Sequence, residues 1–129
     1  FLAAQGFTVR VRRIDGATGS ERWLHVETLP PPSVAVVRDL TVDPDGAAYV
    51  GGRFGEDVLL KLDPADGALR WRRRFATPGG LVRALTVGDR HELVAVGAAR
   101  PFDDAAPGTF TVLRLHARSG RGPRPLRRP

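Results

Sequence analysis

Three histidines, three serines and a set of turn aspartates are the residues with the most chemistry to offer. His25, His91 and His116 stand far apart, and no two share the i, i+2 or i, i+4 spacing that sets a pair of metal ligands on one face of an element. Each is therefore expected to be exposed or singly hydrogen-bonded. Ser20, Ser33 and Ser119 fall in turn or link segments, and none sits in a Gly-x-Ser-x-Gly elbow, so a Ser-His-Asp arrangement has no support. Asp43 with Asp45, and Asp63 with Asp66, could present oxygens to a hard cation, but neither stretch completes an EF-hand loop. Their expected work is local, with carboxylates accepting hydrogen bonds from turn amides. Asp103 and Asp104 are expected to face solvent. Arg70, Arg72, Arg73 and Arg74 flank Trp71, a basic-aromatic cluster of the kind that can follow a phosphate backbone. On a strand, Arg70, Arg72 and Arg74 share the face opposite Trp71, which reads as a solvated outer edge whose charge discourages further pairing. Gly51-Gly52 and Gly79-Gly80 lack the rest of a phosphate loop. With no Cys, disulfides, thiolate metal sites and a cysteine nucleophile are excluded. No residue is assigned as catalytic, cofactor-binding or metal-binding, and neither enzymatic activity nor a cofactor is expected.

The charge of +6 invites a nucleic-acid reading, but its distribution does not support one. Arg118, Arg121, Arg124, Arg127 and Arg128 occur in a terminal stretch without an acid, so the rest of the chain is nearly neutral. That stretch, rich in Arg, Pro and Gly, is expected to be a disordered tail, because it cannot bury enough apolar surface to offset its ordering entropy. Lys61 is the only lysine, a bias expected of a GC-rich coding sequence rather than of a phosphate-binding surface. No apolar run reaches the length of a membrane-spanning helix, and residues 1–7 do not read as a signal peptide. The chain opens on Phe1 and holds no Met, so it is expected to be a piece of a longer protein.

The elements that would carry these residues announce themselves as repeats. Ile14-Asp15 followed by Gly19 and Trp23 returns 48 residues later as Leu62-Asp63 followed by Gly67 and Trp71. A third copy starts at Leu115-His116 and reaches Gly120, without a Trp. A second motif, Val37-Arg38-Asp39-Leu40-Thr41-Val42, returns 45 residues later as Val82-Arg83-Ala84-Leu85-Thr86-Val87. Short runs rich in Val, Leu and Thr lie between turn clusters such as Asp43-Pro44-Asp45-Gly46, and no window sustains a helical period. Strands are expected at 7–14, 21–26, 36–42, 47–52, 57–63, 68–75, 82–87, 92–97 and 109–116. Pro30-Pro31-Pro32 and Thr77-Pro78-Gly79-Gly80 are expected to be links between sheets, and Arg100–Gly108 an excursion at an edge.

Residues 49–71, YVGGRFGEDVLLKLDPADGALRW, and more weakly residues 9–23, VRVRRIDGATGSERW, resemble the PQQ-like β-propeller repeat family. The resemblance implies an all-β fold, a partial propeller of four-stranded antiparallel blades. Residues 1–29 would end an incomplete first blade, 30–76 form a second, 77–117 begin a third, and 118–129 form the tail. It also implies that Asp15, Gly19 and Trp23, with Asp63, Gly67 and Trp71, are structural residues that dock neighbouring blades. The function it implies is a non-catalytic scaffold for protein or ligand binding within a larger bacterial protein. The partners would be the remaining blades and a further protein, with nucleic acid and membrane spans not expected. An extracytoplasmic location is the expectation on this resemblance alone. Because the family includes PQQ-dependent dehydrogenases, the competing expectation is that the chain is part of such an enzyme. Those enzymes draw cofactor contacts from several blades, and some use a cysteine pair that this chain lacks.

Overall fold

The computed structural model describes residues 7–29, 35–54, 56–75, 82–99 and 109–121. The expected links at 30–32 and 77–80, the excursion at 100–108 with Asp103 and Asp104, Ser33, and the tail beyond Arg121 lie outside them. The described residues form an all-β structure without helices. Its strands are β1 (Phe7–Ile14), β2 (Glu21–Leu29), β3 (Ala35–Val42), β4 (Ala48–Phe54), β5 (Glu56–Leu62), β6 (Leu69–Phe75), β7 (Ala84–Val87), β8 (Glu92–Ala99) and β9 (Thr109–His116). No helix among the described residues is long and apolar enough to cross a membrane.

The strands pair in sequence order into three antiparallel sheets, β1-β2, β3-β4-β5-β6 and β7-β8-β9. The two central strands of the middle sheet are covered on both faces, which explains why β4 and most of β5 are apolar without alternation. Residues of β4 and β5 divide by parity. Ala48, Val50, Phe54, Val58, Leu60 and Leu62 pack toward the first sheet with Val9, Val11 and Trp23. Tyr49 and Leu59 pack toward the third sheet with Val82, Leu85, Leu93, Ala95 and Leu115. The two cores are thus the two faces of one ribbon, as the two-residue period of a strand requires.

Close approach explains the Gly51-Gly52 pair. A Cβ on Gly51 would lie 2.6 Å from Cγ1 of Val82, and one on Gly52 would lie 2.2 Å from the carbonyl oxygen of Val36. These glycines let β3 and the third sheet come against β4. Beside them the β3–β4 register shifts between Val37 and Asp39, which leaves Arg38 as the extra residue of a bulge.

Candidate functional site

Copies of the first motif meet at the seams between sheets, and they do so at the turns that follow β1, β5 and β9. In the first copy the amide of Asp15 donates to Ser20 O and that of Gly19 to Asp15 O, each at 2.8 Å. The second copy repeats this with Asp63 to Ala68 O and Gly67 to Asp63 O, at 2.8 and 2.9 Å, and the third with His116 to Arg121 O and Gly120 to His116 O, at 2.8 and 2.7 Å. The glycines take φ of 73°, 74° and 69°. This left-handed corner is open to glycine at little steric cost and strained for other residues.

Each tryptophan latches onto the turn of the next sheet. The indole N–H of Trp23 donates to Pro64 O at 3.1 Å, and its ring lies over Gly67, where a Cβ would come within 2.4 Å of Cε3. The indole N–H of Trp71 donates to Ala117 O at 2.9 Å, and its ring lies over Gly120, where a Cβ would come within 2.8 Å. Trp23 is buried and Trp71 half-buried. Gly19 makes the same corner, but nothing lies within 4 Å of a Cβ built there. The glycines under indoles are therefore Gly67 and Gly120. Arg118–Arg121, read from sequence as the start of the tail, close the turn that receives Trp71. Arg13 adds a second donor to Pro64 O at 2.6 Å.

The turn aspartates are held by their own turns. Asp15 Oδ1 accepts the amides of Ala17 and Thr18, and Asp63 Oδ1 accepts that of Ala65. Arg22 pairs with Asp15 and Arg70 with Asp63. The Arg22 hydrogen bond, with the turn amides, holds Asp15 below the ordinary carboxyl value of 3.8. For Asp63 the Ala65 amide leads and Arg70 adds to it. Glu27 is pushed up by burial, but hydrogen bonds from His25 and Arg72 outweigh this and leave it lowered. All three groups favour their charged form in the folded state. Their contribution is fully present above the unfolded carboxyl value and is lost as pH falls through the lowered native ones. Urea midpoints measured from neutral pH down to about pH 2 should therefore fall with acid. Asp63→Asn should lower the neutral midpoint and flatten the decline.

At the second seam, the fully buried Tyr49 hydroxyl donates to Asp43 Oδ2 at 2.7 Å. Its ring lies 6.2 Å from that of Trp71. Burial, reinforced by Asp43, pushes the Tyr49 phenol well above its usual value. Asp43 Oδ1 accepts the amides of Asp45 and Ala47 at 2.9 and 3.0 Å. Tyr49→Phe removes the donor and strands a buried carboxylate oxygen, so urea unfolding should show a loss of about 2 kcal/mol. Asp39 Oδ2 crosses the same seam to accept the Leu85 amide at 2.6 Å.

Asp43 and Asp45 meet His91, which sits in the β7–β8 turn at φ 59°. One donor atom from each lies within 4.8 Å of the others, with His91 Nε2 3.7 Å from Asp45 Oδ2. Sequence spacing could not find this group, because its histidine comes from the following sheet. Both oxygens of Asp43 are already engaged by Tyr49 and the turn, which leaves that carboxylate about one free lone pair to offer a metal. What the group evidently does is bring His91 of one turn against Asp45 of another. His25 Nε2 lies 3.0 Å from Glu27 Oε1. Ser20 Oγ contacts Thr18 Oγ1, and Ser119 Oγ accepts the Arg121 amide. Among the described residues neither serine hydrogen-bonds to a histidine. In the basic cluster, Arg70 pairs with Asp63, Arg72 reaches Glu27 on the first sheet, and Arg73 lies over Phe75. Much of its charge is therefore spent within the fold. No family model matches the chain, and no curated protein matches it.

Proposed function

We propose that the chain is a non-catalytic run of β-propeller-type repeats, serving as a scaffold for a protein or ligand within a larger protein. The observation that carries this reading is the latch made twice. An indole from the last strand of one sheet donates to a carbonyl in the next sheet's turn and covers that turn's glycine. Donor and acceptor are different surfaces, so the contact is head-to-tail and can propagate from repeat to repeat into a ring or an array. The two apolar cores and the Arg72–Glu27 pair described above hold sheets together, which fits a scaffold. Binding would then fall to the loops, where repeat scaffolds carry variation.

Hydrogen exchange on the full chain tests the reading. Sheets that stack through nearest-neighbour latches should lose protection seam by seam, so that Trp71→Ala loosens β7–β9 more than β1–β2. Uniform loss of protection across all three sheets would count against a repeat array. The dehydrogenase alternative predicts tight binding of PQQ with Ca²⁺, and titration of both into the chain should show none.

A further inference from the structure

The motif Val-Arg-x-Leu-Thr-Val occurs twice, and its two copies live in different surroundings. In the second copy Val82 is 1% exposed and Leu85 9% exposed; their counterparts Val37 and Leu40 are 49% and 46% exposed. The second copy is covered because β7 lies against the β3–β4 hairpin. Val82 and Leu85 nest over Gly51 beside Leu59, and the Leu85 amide is taken by Asp39 Oδ2. The first copy has no such cover. The Leu40 amide turns to the carboxylate of its own neighbour, Asp39 Oδ1, at 2.9 Å. The first sheet packs β1 and β2 over the β4–β5 part of the middle sheet and meets β3 only along β1, leaving a groove whose apolar floor of Val11, Trp23, Leu40, Val42 and Ala48 is bordered by Arg12 and Arg13. Among the described residues β1 pairs only with β2, so its other edge presents backbone donors and acceptors.

We propose that this surface binds a β-hairpin of the β3–β4 kind. Its second strand adds antiparallel to the free edge of β1, as β4 adds to β5. A glycine on that strand receives Val37 and Leu40, as Gly51 receives Val82 and Leu85. An aspartate on its first strand takes the Leu40 amide, as Asp39 takes that of Leu85. The third sheet shows this occupant's imprint on the same motif, and the groove continues the interface that β1 and Trp23 already form. The proposal rests on the repeat reading above and names the partner that reading requires at one position.

A synthetic peptide of residues 35–54 is the probe, added to the full chain and also tethered ahead of it by a Gly/Ser linker to raise its effective concentration. Hydrogen exchange should show new protection confined to β1 and residues 36–42, and the tethered form should unfold at higher urea. Leu40→Glu in the chain, at a half-exposed site that leaves the free fold intact, should weaken capture by at least about tenfold, because the apolar side chain that the glycine seats is replaced by a carboxylate that must leave water. Gly51→Val in the peptide should do the same by filling the seat. Neither protection up to about millimolar peptide nor a gain from tethering, or capture indifferent to Leu40→Glu, overturns the proposal. So does concentration-dependent dimerisation that Leu40→Glu abolishes without peptide capture, which would make a second copy the occupant. If the Trp23–Gly67 coupling described below is measured and capture is not, the hairpin falls and the repeat reading stands; if both are absent, both fall.

Discussion

Trp23→Ala should destabilise the first seam by about 3–5 kcal/mol, the range for removing a large buried aromatic side chain. The indole is 7% exposed and packs in one cluster with Val9, Val11, Ala48, Leu60 and Leu62. Its loss also leaves Pro64 O with Arg13 as its remaining side-chain donor. Domains of ordinary stability hold only about 5–15 kcal/mol, so the effect is large. Its form should be uneven as well. A two-stranded sheet is marginal by itself, and β1-β2 depends on the middle sheet for its apolar cover. The variant should therefore expose β1 and β2 to hydrogen exchange while β4, β5 and β8 keep much of their protection, and the urea transition should broaden or split. Trp71→Ala should instead weaken the second seam, where the indole meets Tyr49 and Ala117 O. A Trp23→Ala loss below about 1 kcal/mol would mean that the indole does not hold the sheets together.

Much of this arrangement is legible in the sequence because turns and strands are local. Asp-Pro-Asp-Gly and Asp-Pro-Ala-Asp-Gly mark corners, and the apolar runs between them fix the strands. β1 and β9 fall where expected, and β3, β4, β5 and β6 shift by one or two residues at their ends. β2 runs on to Leu29 rather than stopping near 26, because Phe7 pairs with Leu29 and Glu27 is held by His25 and Arg72. β7 begins at Ala84 rather than 82, because Val82 is drawn under the middle sheet at Gly51. What the sequence hides is long-range. Gly120 gives no sign of seating an indole, since its repeat has lost both the aspartate and the tryptophan, and the backbone alone preserves the corner. The Asp39–Leu85 bond, the Tyr49–Asp43 bond and the His91–Asp45 pair all depend on distances that only the stacking of sheets sets. The Arg70–Arg74 cluster looks cationic in sequence because its acids, Asp63 and Glu27, come from a turn and another sheet.

Gly67→Ala and Gly19→Ala should differ sharply, although the two glycines share one backbone conformation. Both sit near φ of 73–74°, so any alanine there pays the left-handed cost of about 1–2 kcal/mol. At Gly19 that is the whole effect, since a Cβ would meet nothing within 4 Å. At Gly67 the Cβ would stand 2.4 Å from Cε3 and 2.6 Å from Cδ2 of Trp23. The ring must lift off the turn, which adds about 1–3 kcal/mol of overpacking and stretches its hydrogen bond to Pro64 O. A double-mutant cycle separates the two contributions. In a Trp23→Ala background the clash is gone, and Gly67→Ala should cost no more than Gly19→Ala. The expected coupling is about 1–3 kcal/mol, of the sign that makes the double variant more stable than the sum of its parts predicts. Equal costs at the two glycines, or strict additivity with Trp23→Ala, would show that the indole does not rest on the turn of the next sheet. The head-to-tail latch would then lose its physical basis.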